Sequence, residues 1–128
     1  MARVALNPWF AEDRFATGVW LSRNVEKLLL KKKREEGRGL LQRMEEMAES
    51  GFELFIGPKN IIRHEWDQIY RIGLDSSQLR VIGFFEQVTE DFLGVDGFVK
   101  KGQQLTAQER NLINRVRDIR NSGDWEKK

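Results

Sequence analysis

The period of the hydrophobic residues changes partway along this chain, and that change limits it to a mixed fold more firmly than any motif does. In the first half, Val25, Leu28 and Leu29, and then Leu40, Leu41, Met44, Met47 and Ala48, recur at the spacing of amphipathic helices, about 3.6 residues per turn. From Glu65 onward, Trp66, Tyr70, Ile72 and Leu74 alternate with Glu65, Asp67, Arg71 and Gly73, the period of about 2 expected of a half-buried strand. Ser22 is placed to cap the first helix, whose stripe extends to the stem of Lys32. Gly37 and Gly39 break the helical pattern, and Ser50-Gly51 ends the second helix. The strand of EWDQIYRIGL passes through the turn residues DSSQ into LRVIGFFEQ, a more apolar and hence central strand. TED then turns the chain into FLGVDGFV. Leu112, Ile113, Val116 and Ile119 mark a final helix, with Thr106 and Glu109 spaced as a capping box. Val4 to Leu6 reads as a short first strand, interrupted by Asn7-Pro8, and Trp9, Phe10 and Phe15 as core or docking aromatics. The expected class is α+β: an N-terminal strand, a helix hairpin, a three-stranded antiparallel meander and a C-terminal helix. One domain is expected over residues 1–128, with residues 121–128 a frayed tail.

Composition removes several classes of function. There is no cysteine, which excludes disulfides, thiolate chemistry and cysteine-based zinc sites. MARVALNPWF lacks the apolar core of a signal peptide, and no segment approaches the roughly 20 apolar residues that span a bilayer, so a cytoplasmic protein is expected. The 22 Lys and Arg nearly balance the 20 Asp and Glu, so the arrangement of charge matters more than its sum. P-loop, GxGxxG and HExxH motifs are absent.

Strand arithmetic gathers some of that charge. If DSSQ is a four-residue hairpin loop, Arg71 opposes Ile82, and Arg71 and Arg80 become diagonal neighbours on one face, with Gly73 leaving space beside them. If the next loop spans Val88 to Asp91, Arg80 opposes Val99 and Gln78 opposes Lys101, which brings Lys101 to the same face. Three cations then meet at one end of the sheet. A slip of one residue would send a strand's side chains to the other face.

YRIGLDSSQLRVIGFFEQ, followed by FLGVDGFVKKGQQLTAQERNLINRV, resembles the core of the RelE/ParE toxin superfamily, especially its HigB-like, phage-derived branch. The resemblance covers Ile61 to Ile119, and its most specific part is DGFVKK with TAQE, paired lysines followed shortly by a helix start. It implies the toxin component of a type II toxin-antitoxin system, a ribosome-dependent and metal-independent mRNA endonuclease without cofactor. Its partners would be a cognate helix-turn-helix antitoxin, the ribosome and mRNA, with no membrane; a homodimer is left open. In such enzymes a ribose 2′-OH attacks the adjacent phosphate, so the protein must take a proton, neutralise a phosphorane and protonate the leaving oxygen. Carried over by position, Arg71, Arg80 and Lys101 match the family's cations, and Lys100, Arg63, Lys31 and Lys32 are candidates for RNA contact.

The chain also departs from the family. Gly73 stands where some members carry a second lysine, and the C-terminal helix has no tyrosine, Tyr70 being the only one in the chain. His64 is the candidate stand-in for the missing proton carrier, and Lys100 or Lys101 would serve as a base if its pKa were lowered. Two other readings stay open: a ParE-like, non-catalytic toxin that binds a protein such as DNA gyrase, and an unrelated α+β binding module. Lys31 to Arg34 also fits a solvated helix face, because Glu35 and Glu36 follow directly.

Overall fold

The computed structural model describes residues 3–128. Strands β1 (Val4–Phe10) and β2 (Val19–Ser22) form an antiparallel pair that leads directly into helix α1 (Arg23–Lys27). Ser22 accepts the amide hydrogen of Val25 (3.2 Å) and donates its hydroxyl to the Val95 carbonyl (2.6 Å), so the cap that starts the helix also fastens it to the sheet. The helix continues as a π turn over Leu28–Lys32, breaks at Lys33 and resumes as α2 (Arg34–Ser50). Gly37 and Gly39 therefore lie inside a helix, where a break was expected. A Cβ on Gly37 would overlap the Leu29 carbonyl, so this glycine permits a close crossing of two helical segments.

After a short 3₁₀ turn over Phe52–Phe55 come strands β3 (Ile62–His64), β4 (Tyr70–Ile72), β5 (Leu79–Phe85) and β6 (Phe92–Val99), each antiparallel to the one before it. Helix α3 (Ala107–Ser122) and strand β7 (Trp125–Lys127) complete the chain. All strands join one seven-stranded sheet in the order β3-β4-β5-β6-β2-β1-β7, with β2 parallel to β6 and β7 parallel to β1. The mixed α+β class stands, but the expected three-stranded meander is only β4 to β6 of a wider sheet. Trp66 to Ile69, read as part of a strand, instead form a tight turn in which Asp67 (φ 50°) and Gln68 (φ 67°) are both left-handed.

Alternation divides the sheet into two faces. Leu21, Ile72, Val81 and Phe92 pack beneath α1 and α2 with Leu29, Leu40, Met44 and Met47. Leu6, Ile82, Phe84, Leu93 and Val95 pack on the other side against Ile113 and Val116 of α3. Each such side chain, fully buried, contributes about 1.5–3 kcal/mol. The capping box of α3 forms as expected: Thr106 Oγ1 accepts from Glu109 N (3.1 Å) and Glu109 Oε1 accepts from Thr106 N (2.9 Å).

The C-terminal segment, expected to fray, is paired. Lys128 N donates to the Leu6 carbonyl (2.9 Å), and Lys127 lies between Glu86 and Asp91 (2.9 Å) and over the Trp20 ring (5.1 Å). Burial alone would lower the Lys127 ammonium pKa, but these two carboxylates outweigh it and raise it. Among the described residues no helix is long and apolar enough to cross a membrane.

Candidate functional site

The hairpin β4-β5 has the register that the four-residue turn implies. Arg71 opposes Ile82, so Arg71 and Arg80 share the face covered by α3, with Ile82 and Phe84 beyond them. On the other side of β4, Arg63 of edge strand β3 stands opposite Arg71 and extends the row. A cation on this stretch of β6 must match the parity of Phe98, because Phe98 is the residue opposite Arg80.

That cation is Lys100, and the expected placement of Lys101 is corrected. The loop after β5 is longer than assumed: Glu86 N donates to the Asp91 carbonyl (2.9 Å), and Phe85 rather than Gln87 opposes Phe92. A β-bulge at Gly94 to Asp96, where Gly83 opposes Gly94 but Ile82 opposes Asp96, restores one of the two positions gained. The net slip is one residue. Lys100 N donates to the Gln78 carbonyl (2.7 Å), which brings the Lys100 side chain to the face of Arg80, while Lys101 is exposed and offers only its amide hydrogen to Glu109 Oε2 (3.2 Å).

Arg80 is held by its own turn. Its Nη1 donates to the Ser77 carbonyl (2.7 Å) and the Leu79 carbonyl (2.8 Å). The guanidinium occupies the space above Gly73, where an added Cβ would come within 2.6 Å of Arg80 Cδ and 2.7 Å of Nη1. Gly73 and Arg80 thus form one packing unit, and a side chain at position 73 would displace the arginine.

The charges are unevenly compensated. Arg71 Nε pairs with Glu65 Oε1 at 2.9 Å, with side chains only 15% and 11% exposed. Arg63 reaches the exposed carboxylate of Asp75 at 3.3 Å, a surface pair of small energetic weight. Neither Arg80 nor Lys100 takes part in an ion pair among the described residues. Burial, then the like charges of Arg71 and Arg63, hold the Arg80 pKa below the ordinary arginine value, with Asp75 opposing. Burial, then Arg71 and Arg80, lower the Lys100 ammonium, with Glu109 and Glu65 opposing. Burial is the larger cause of both shifts, and the like charges that add to it are ones an anion would offset. A planar fork beside an ammonium head suits a tetrahedral oxyanion.

The other candidates take no part in the meeting of Arg71, Arg80 and Lys100 on that face. His64 opposes Tyr70, stands edge-on to its ring (centroids 5.2 Å apart) and is exposed; alternation directs it to the face opposite Arg63 and Arg71, but at the sheet edge it lines one depression of about 430 Å³ together with Arg63, Glu65 and Arg71. Lys31 and Lys32 are exposed on the π turn, in the helical layer across the sheet. Glu65 escaped the sequence reading, because only the tight turn that follows it brings its carboxylate back over Arg71. Among the described residues no group of three or more His, Cys, Asp or Glu is arranged to hold a metal ion. No family model matches the sequence, and no curated protein or solved structure matches it.

Proposed function

We propose that the protein is a toxin-type endoribonuclease of the RelE/ParE kind, acting on mRNA at the ribosome and neutralised by a helix-turn-helix antitoxin. The observation that carries this reading is the meeting of Arg71, Arg80 and Lys100, with Arg63 at the rim, on one sheet face where two of the cations have no carboxylate partner. Arg80, oriented through one nitrogen by the carbonyls of Ser77, Leu79 and, at 3.4 Å, Leu74, keeps its other nitrogens for a phosphate oxygen. Arg71, backed by Glu65, is the second clamp. Lys100, with its lowered ammonium pKa, is suited to exchange a proton with the ribose or the leaving oxygen, and Glu65, paired with Arg71, is a carboxylate able to share that task.

One observation favours a second reading, a ParE-like toxin that blocks a protein such as DNA gyrase without cleavage. The only tyrosine, Tyr70, packs in the core on the face opposite Arg71, so no phenol accompanies the cations.

Expression in a bacterial host followed by primer extension on translated transcripts separates the two readings. Cleavage is expected, with Arg80→Ala and Lys100→Ala each losing about a hundredfold or more and Lys101→Ala remaining near the parent rate. Full cleavage by Arg80→Ala would end the phosphate-clamp reading, and growth arrest with intact transcripts but halted DNA synthesis would favour the second.

A further inference from the structure

A second concentration of positive charge lies across the sheet from the cation cluster, on the outer surface of α1 and α2, and its organisation differs. Arg23, Lys27 and Lys31 follow one another along α1 and its π turn at the four-residue spacing of a single helical stripe; Arg34 and Arg38 form a corresponding stripe on α2. All five are exposed, and none joins any ion pair of the described residues. The carboxylates nearest in sequence do not neutralise them. Glu26, at the edge of this face, has its two oxygens engaged by Asn7 Nδ2 (3.0 Å) and Trp9 Nε1 (2.8 Å), and Glu36 accepts from Ser77 Oγ (2.8 Å); only Glu35 keeps a free exposed carboxylate here.

Between the stripes lies an apolar side chain. Leu30 is 45% exposed and belongs to two shallow depressions, one of about 410 Å³ shared with Leu29, Arg34, Arg38 and Leu41, the other of about 230 Å³ shared with Arg23, Glu26, Lys27 and Lys31. A surface that only follows a nucleic-acid backbone gains nothing from an exposed leucine with an apolar hollow beside it. An exposed leucine beside an apolar hollow, flanked on both sides by unpaired cations, is the complement of an amphipathic helix whose apolar stripe is bordered by Asp and Glu.

We propose that this face docks an acidic amphipathic helix of a partner protein, with an apolar residue of the partner entering the hollow beside Leu30 and its carboxylates reaching Lys27 and Lys31 on one side and Arg34 and Arg38 on the other. The proposal is independent of any nuclease activity at the sheet cluster. It is tested by fluorescence anisotropy with three labelled probes: an 18-residue helical peptide with leucines at i, i+3, i+4 and i+7 bordered by glutamates, the same peptide with glutamine for glutamate, and a single-stranded RNA 12-mer. The expected result is saturable binding of the acidic peptide, at least tenfold tighter than the glutamine peptide, weakened at least fivefold by Leu30→Ser and at least tenfold by Lys27→Glu combined with Arg34→Glu. The substituted side chains are all exposed, and circular dichroism confirms that each variant folds. The proposal is overturned if the acidic peptide binds no better than its glutamine counterpart, if Leu30→Ser leaves its affinity unchanged, or if the double charge reversal abolishes RNA binding while sparing the peptide.

Discussion

Adding a single methyl group at Gly73 probes how the cation cluster is built without touching any charge. In Gly73→Ala the new carbon would lie 2.6 Å from Arg80 Cδ, 2.7 Å from Nη1 and 2.9 Å from the Leu79 carbonyl oxygen, against ordinary carbon contacts of about 3.5–4.0 Å. The Leu79 carbonyl belongs to a strand paired on both sides of the cluster and yields little, so the arginine moves and loses its bonds to the carbonyls of Ser77 and Leu79. Charged hydrogen bonds of this kind contribute about 1.5–3 kcal/mol when buried; at this half-buried position about 1–2 kcal/mol is at stake for the pair. Crowding against the carbonyl adds about 1 kcal/mol, for a total loss of about 2–3 kcal/mol. Urea denaturation of Gly73→Ala, Arg80→Ala and the double variant isolates the shared part. With Arg80 already removed, Gly73→Ala should cost about 1–2 kcal/mol less, a coupling well above the 0.3–0.5 kcal/mol scatter of independent sites. Additive losses would refute the claim that Gly73 exists to seat Arg80.

Two further outcomes follow from the frame around the site. Burial alone would raise the Asp91 carboxyl, but hydrogen bonds from Lys127, Gly18 N and Trp20 Nε1 outweigh it and hold it below the usual range. Its contribution to stability is therefore complete above the unfolded carboxylate pKa of about 3.9 and fades as pH falls through the lower folded value; the Lys127 contribution fades only above about pH 10.4. Asp91→Asn should lose about 1–3 kcal/mol at pH 7 and flatten the acid limb of a stability profile below pH 4, and an unchanged limb would contradict this linkage. At the β3-β4 turn, Gln68→Gly relieves a left-handed residue and should raise stability by about 1 kcal/mol, or roughly 4 °C in Tm, in a thermal melt; a fall in Tm would show that the Gln68 side chain offsets its backbone cost.

The parts of the fold legible in the sequence were those governed by local chemistry. Ser22 and the pair Thr106 and Glu109 announce their caps because a side-chain oxygen three residues from an orphan amide leaves little choice. DSSQ declares a turn short enough to determine which residues face each other, hence the correct pairing of Arg71 with Ile82. What was hidden depends on partners remote in sequence. Strands β3 and β7 have three residues each, too few for a period to show, and the polar segment Trp125–Lys127 becomes a strand only because β1 offers a free edge and Glu86 and Asp91 receive Lys127. Gly37 signals a break by propensity, yet its lack of a side chain serves tertiary packing against Leu29. The exchange of Lys100 for Lys101 has the same origin: Val95 and Asp96 look like ordinary strand residues, and the bulge they form follows from Ser22 fixing the Val95 carbonyl and Arg115 pairing with Asp96. A pair of adjacent lysines always offers one to each face, so the cluster survived the error while its member changed.

The central claim is that Arg71, Arg80 and Lys100 form one anion site, and side-chain NMR tests it directly. When a ribonucleoside 3′-phosphate is titrated into protein labelled with nitrogen-15, the Arg71 and Arg80 Nε signals and the Lys100 Nζ signal should shift together along one saturable curve. Lys101, Lys31 and Lys32 should remain still. Shifts at Lys101 in place of Lys100, or responses of the three residues at unrelated concentrations, would contradict the account.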